Sequence, residues 1–180
     1  MNLETERLIL RGLNDSDADD LYPIISDPEV TNNLLIPHPF PRERMLPWIR
    51  DRREAMVAKE RYALAIVLKE TGRVIGVCAL IGVSWKNLNA ELVYWLGKQY
   101  WGKGYMPEAA GRLIRFGFEE LGLERISVGC FTRNKASARV IEKLGFKYEG
   151  RARHEFRKND EFLDVYHYGM LRGEWEMADG

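Results

Sequence analysis

The chain has 180 residues, 46% of them hydrophobic and 30% charged, a composition that fits one globular domain and excludes a disordered or fibrous chain. Lys+Arg and Asp+Glu number 27 each, so no broad basic surface is expected and nucleic acid is not assigned as a partner. Two cysteines (Cys78 and Cys130) without a CxxC pairing, three scattered histidines, a short acidic N-terminus and no apolar run near ~20 residues exclude a disulfide scaffold, a Cys-based zinc site and a membrane span; they predict a cytoplasmic chain that needs no metal.

In chain order, residues 6–13 read as a strand. Asn14 is placed to cap a helix with Asp17 and Asp19 in its first turn and Leu21, Ile24 and Ile25 on one face. Residues 27–41, with Pro37, Pro39 and Pro41, read as a loop holding at most one irregular helical turn. Met45, Trp48, Ile49, Arg52 and Met56 form a helical stripe within 42–59, and Pro47 either kinks that helix or marks its true start. Runs 62–68 and 73–83 around Glu70-Thr71-Gly72 predict a hairpin, and 90–97 a further strand.

Beyond Gly104 the apolar period becomes helical, with Pro107 expected at the first helical position, Glu108 near the positive end of the dipole and Gly122 as the stop. Residues 125–131 alternate as a strand. Asn134 opens a short helix with Val140, Ile141 and Leu144 inward and Gly145 at its end. Residues 147–156 and 162–171 read as two last strands around the turn cluster Lys158-Asn159-Asp160. The result is an α+β single domain over 1–180, with seven strands in a mostly antiparallel sheet and four helices.

The segment 97–108, GKQYWGKGYMPE, carries the most chemistry. Gly102 and Gly104 open backbone conformations closed to other residues, and successive N–H groups at a helix N-terminus form an anion site. Lys98 and Lys103 add positive charge, so a phosphate or pyrophosphate suits the loop; a plain strand-to-helix turn would use the same residues. The ending GK[ST] is missing, so this is not a Walker loop, and there is no GxGxxG.

The spacing Gln99-x-x-Gly102-x-Gly104 resembles the acetyl-CoA pyrophosphate loop of the GNAT family of N-acetyltransferases, Q/R-x-x-G-x-G/A. AELVYWL (90–96) resembles the family's fourth strand, and NKASARVIEKLGF (134–146) the helix after its fifth. ETERLILRGL (4–13), Asp164 and the YHYGML ending (166–171) resemble the RimJ/RimL branch, which acetylates ribosomal-protein alanines. The resemblance covers about residues 4–172.

It implies a sheet splayed between the family's strands four and five, acetyl-CoA as co-substrate, and an amine acceptor. The pantetheine arm would pair with the backbone of Tyr94, Trp95 and Leu96, and the pyrophosphate would sit on Gln99, Tyr100, Trp101, Gly102, Lys103, Gly104 and Tyr105. Glu91 takes the position of a general base, Asn134 that of the asparagine near pantetheine, and Ser137 that of a hydroxyl near the thioester sulfur. One departure is plain: the tyrosine that many members carry just before the Glu-Lys pair is Ile141 here. Glu155 and Asp164 would border the acceptor pocket, and Trp48 and Trp85 would flank its mouth.

Each candidate also has an ordinary structural role: strand packing, a helix N-cap for Asn134, a first-turn hydrogen bond for Ser137. The leading expectation is acetyl transfer to a primary amine, leaning to a protein N-terminal α-amine, by direct attack in a ternary complex. The alternatives are a small-molecule amine acceptor and a non-catalytic CoA-binding domain on the same fold. A covalent route through Cys130 is disfavoured, since no histidine lies close in sequence. A homodimer is compatible with the sequence but not specified by it.

Overall fold

The computed structural model describes residues 1–179. Eight strands form one sheet in the order β1-β2-β3-β4-β5-β6-β8-β7. They are β1 Asn2–Glu4, β2 Leu8–Gly12, β3 Tyr62–Leu68, β4 Val74–Ser84, β5 Asn89–Leu96, β6 Arg125–Phe131, β7 Lys147–Lys158 and β8 Glu161–Leu171. Every neighbouring pair is antiparallel except β5–β6, which is parallel. The helices are α1 Ala18–Ile25, α2 Pro28–Thr31, α3 Met45–Val57, α4 Tyr105–Glu119, α5 Lys135–Lys143 and α6 Arg172–Asp179.

The sheet buries both faces at its centre, which is why β3 and most of β4 read as unbroken apolar runs. One core lies under α4 and α5 and contains Leu64, Leu80, Leu92, Leu113, Ile126 and Ile141. The other lies under α1 and α3 and contains Leu21, Ile49, Ala65, Val77 and Trp95. Because side chains alternate along a strand, β5 sends Ala90, Leu92, Tyr94 and Leu96 to the first face, and Val93 and Trp95 to the second. The second core ends at β5, so β6, β7 and β8 carry only a small cluster of Phe131, Leu163 and Val165 there.

Several elements depart from the sequence expectation. The strand expected over 6–13 is β2, Leu8–Gly12, and a short strand not expected, β1, precedes it; Thr5 turns the chain between the two, its hydroxyl accepting from the Leu8 N–H and donating to Glu108. Asn14 and Asp17 form a capping box around a 3-10 turn at Asp15–Asp17, and α1 starts only at Ala18. Asp17 is buried there against the Arg11 guanidinium. Pro47 sits in the first turn of α3, where its missing N–H breaks no bond. Pro107 is the third residue of α4, since the helix begins at Tyr105 straight after the left-handed Gly104.

Helix α6 was not expected from its short polar sequence. Glu174 accepts the Leu171 N–H at its start, and Trp175 stacks on Phe118 at 5.5 Å. The last hairpin is longer than read, and β7 bulges between Ala152 and Phe156. Asp164 holds the bulge by accepting from the His154 N–H and the Arg151 guanidinium.

Candidate active site

The parallel pairing of β5 with β6 runs from Asn89↔Arg125 to Leu92↔Val128 and then stops. β5 continues to Leu96 and β6 to Phe131, so the sheet opens into a V between them. Gly97 N–H bonds Ile75 O, and antiparallel pairs alternate, so Trp95 spends its backbone groups on β4. Tyr94 and Leu96 turn theirs into the V. The Leu96 carbonyl accepts from the Trp101 indole at 2.8 Å.

At the mouth of the V lies the glycine loop. Gly102 and Gly104 have φ of 73° and 78°, the left-handed region that favours glycine. A Cβ at Gly102 would meet nothing within 4 Å, so the loop faces open space. Tyr100 and Trp101 donate their N–H groups to Gly97 O and Lys98 O. From Gly102 to Met106 the amides have no backbone partner among the described residues, and they stand at the N-terminus of the 15-residue α4. Arg7 braces the loop from beneath: it donates to Lys103 O, pairs with Glu108 at 2.6 Å and lies 4.6 Å from the Tyr105 ring centroid. Lys98 is drawn away to Glu29 of α2, while the ammonium of Lys103 lies over the Tyr100 ring. These residues fit a pyrophosphate, which needs converging amides more than side-chain charge.

On the α4–α5 face of the V, Asn134 caps α5 by accepting the Ser137 N–H at 3.1 Å. Its N-cap role is thus present, and it fixes the first turn. The Ser137 hydroxyl lies 2.9 Å from the Tyr94 phenol oxygen. Burial pushes the Tyr94 phenol well above its usual pKa, against the smaller opposing effect of the Ser137 hydrogen bond, so it keeps its proton at neutral pH. Ile141 is fully buried in the core, yet a tyrosine hydroxyl reaches this corner from β5 instead of α5. The sequence reading used only the backbone of Tyr94 and missed its hydroxyl. Cys130 is nearby and buried, and burial raises its thiol to about 11, which leaves almost no thiolate at neutral pH.

Glu91 lies on the opposite face. It pairs in register with Ile81 of β4 and Ser127 of β6. Its side chain is exposed, yet nearby atoms remove enough water to raise its carboxyl pKa; Glu155 adds to the rise and His167 opposes it. His167 Nε2 lies 2.6 Å from Glu155 Oε2. Neither the histidine nor this pairing was foreseen, because Glu155 reaches His167 only through the β7 bulge. Trp48 packs against Trp95 on the same face at 6.2 Å, with the Arg52 guanidinium 3.7 Å above its ring. Trp85 lies in the β4–β5 turn and donates its indole N–H to Lys59 O. The pair Tyr94–Ser137 and the carboxylate Glu91 therefore lie on opposite faces of the sheet, three β5 positions apart, with Glu91 just before the point where β5 and β6 separate. Among the described residues no group of three or more His, Cys, Asp or Glu is placed to hold a metal, and no helix is long and apolar enough to cross a membrane.

Comparison with known proteins agrees with this geometry. The profile of the acetyltransferase (GNAT) domain matches residues 7–147. An uncharacterized N-acetyltransferase of Bacillus licheniformis, p20, is 34% identical over 173 residues, covering 96% of this chain and 97% of its own. A crystal structure described as a probable acetyltransferase superposes with a TM-score of 0.89 at 27% identity, over 97% of this chain and 99% of that one. The fold is shared with RimL, the ribosomal L7/L12 α-N-protein acetyltransferase solved with coenzyme A, at a TM-score of 0.87 and 19% identity over 95% and 98% of the two chains. The chain belongs to the GNAT family of acetyltransferases and is an acetyl-CoA-dependent N-acetyltransferase.

Proposed function

We propose that the chain moves the acetyl group of acetyl-CoA to a protein N-terminal α-amine by direct attack in a ternary complex. The observation that carries this reading is the V between β5 and β6, with Tyr94–Ser137 on one face and Glu91 on the other. When bound, acetyl-CoA supplies a thioester, an acyl carbon already activated toward an amine.

The amides of Gly102 through Met106 hold the pyrophosphate, with Gln99, Tyr100 and Trp101 shaping the turn below them. Tyr94 and Leu96 offer backbone groups to the pantetheine arm, and buried Trp95 makes the wall behind it. Asn134 fixes the start of α5 so that Ser137 faces the departing sulfur. Glu91, directly or through water, takes a proton from the acceptor ammonium. An α-amine has an ordinary pKa near ~8 and a lysine-like amine near ~10, so the α-amine asks less of a carboxylate base. The nitrogen attacks the carbonyl carbon, the C–S bond breaks, the nitrogen gives up its second proton to water, and the leaving thiolate, hydrogen-bonded by the Ser137 hydroxyl, takes one from water.

The face over β6 and β8 supports an extended acceptor such as a peptide N-terminus, since among the described residues the core under α1 and α3 ends at β5. The test is an acceptor screen with acetyl-CoA, read by free-thiol release, over N-terminal peptides, polyamines, amino acids and aminoglycosides. Turnover of peptides alone supports the proposal. Turnover of polyamines or aminoglycosides alone overturns the acceptor class. CoA binding without any turnover leaves a binding domain.

A further inference from the structure

The structure assigns His167, tethered by Glu155, as the group that takes the acceptor's proton onward from Glu91 and releases it to water. This rests on the acetyl-transfer reading and adds an exit path for the proton.

The placement follows from strand register. Glu91 of β5 pairs with Ser127 of β6; the next β6 position on the same face, Gly129, pairs with His167 of β8. Strands lie ~4.8 Å apart and a same-face step along a strand is ~7 Å, so the Glu91 and His167 backbones are two strand spacings apart laterally and one such step apart along the strands. Between them stand only a serine and a glycine, and two long side chains can approach over that low floor. Their electrostatic coupling is felt at Glu91, which His167 and Glu155 push in opposite directions.

Glu155 is present because β7 bulges. Residues 153–155 have no partners on β8, and His154 takes a left-handed φ of 52°. Asp164 clamps the loop by accepting the His154 N–H at 2.7 Å. Bulges re-aim side chains, and here the result is the 2.6 Å Glu155–His167 contact. With Nε2–H donated to Glu155, the other ring nitrogen is free to accept, as a carboxylate-oriented histidine does in other acid–base sites.

The chemistry is balanced. Glu91 gains the proton that the ammonium loses; the carboxylic acid passes it through intervening water to the imidazole; the imidazolium gives it to solvent. An acceptor bound over Glu91 would cover it, whereas His167, farther out, keeps 42% of its side chain exposed. Glu149 is the other carboxylate that feels His167. Arg125 and Glu149 pair with each other beside Gly169, Arg151 is held by Asp164, and Arg52 with Arg61 lies beyond β4 on α3 and at the start of β3.

The test uses the full chain and its His167→Gln and Glu155→Gln variants. Carboxyl NMR titration of Glu91 needs no acceptor. His167→Gln should raise the Glu91 midpoint, since a cation is lost, and Glu155→Gln should lower it, each by about half a pH unit. A midpoint unmoved in both variants overturns the coupling. Turnover is then followed with an alanine-initiated peptide and spermidine. His167→Gln should lose roughly tenfold in low buffer and recover when free imidazole is added. Full turnover without imidazole, or a loss that imidazole cannot restore, overturns the relay. If the wild type acetylates no amine at all while the titration moves as expected, the acetyl-transfer reading has failed and the coupling stands.

Discussion

The phenol oxygen of Tyr94 and the hydroxyl of Ser137 lie 2.9 Å apart, one from a strand and one from the first turn of a helix. Burial keeps the phenol protonated, so it can donate to Ser137, which on the proposed mechanism turns its own proton to the departing sulfur. Tyr94→Phe and Ser137→Ala should each lower kcat about tenfold, near 1.4 kcal/mol, with little change in acetyl-CoA binding. The double variant should lose scarcely more than either single one, because the two act as a unit. Additive losses in a double-mutant cycle would show that they work separately.

Gly102 separates ligand binding from folding. Its φ of 73° makes any other residue strained, at about 1 kcal/mol, and its missing Cβ faces open space. Gly102→Ala should lower the apo melting temperature by ~2–4 °C. It should remove most of the further rise that CoA gives the wild type. At Gly104 the φ is 78° and a β-branched residue is strained further than alanine there, so Gly104→Val should lose more apo stability. A Gly102→Ala protein with an undiminished CoA shift would move the pyrophosphate elsewhere.

Glu108 ties three parts of the site together. Burial alone would raise its pKa, but hydrogen bonds from the Thr5 hydroxyl, the Arg7 N–H and the Arg7 guanidinium outweigh this and lower it. The folded state therefore favours the ionised form. That stabilisation is complete above the ordinary carboxyl pKa and is lost as pH falls through the lower folded value. Glu108→Gln should cost about 1–2 kcal/mol at pH 7, and the difference from wild type should close in acid. Parallel melting curves down to pH 2 would mean that the contacts are structural without charge.

Cys130 offers a check on the direct route. Its buried thiol, at about 11, is a poor nucleophile at neutral pH. Cys130→Ala should keep most activity. The intact mass of wild type incubated with acetyl-CoA and no acceptor should show no stable adduct. An acetylated Cys130 that an added amine discharges would replace direct attack with a covalent path.

Much of this site was legible because its signals are local. The strand-to-helix glycines and the Asn134 cap announce themselves through backbone demands, and the apolar runs of β3 and β4 through burial on both faces. What could not be read depends on distant chain segments. Thr5 turns the chain between β1 and β2, and Glu108, over a hundred residues away, takes its hydroxyl. Tyr94 looked like one more aromatic in a strand until α5 brought Ser137 to it. Glu155 looked like a surface charge, since only a bulge held by Asp164 turns it to His167. Helix α6 has too few apolar residues to show a period, and packing of Trp175 on Phe118 decides it.

Glu91 carries the prediction that separates chemistry from stability. Its folded pKa is raised, chiefly by desolvation, so folding disfavours its ionised form. A raised acid pKa means that the native state holds more protons than the unfolded chain, and stability falls as pH rises from the ordinary carboxyl value through the folded one. Glu91→Gln removes that small penalty, so the variant should melt no lower than wild type at pH 7. A catalytic loss of ~10²–10⁴ is expected at the same pH, the usual effect of losing a general base. The loss should shrink at high pH, where the acceptor amine deprotonates unaided. Because the carboxylate must be ionised to act, the acidic limb of wild-type kcat/KM should lie above that of an ordinary glutamate and vanish in Glu91→Gln. Unchanged turnover with unchanged melting would return Glu91 to the solvent-facing surface of β5 and move the search for the base to His167.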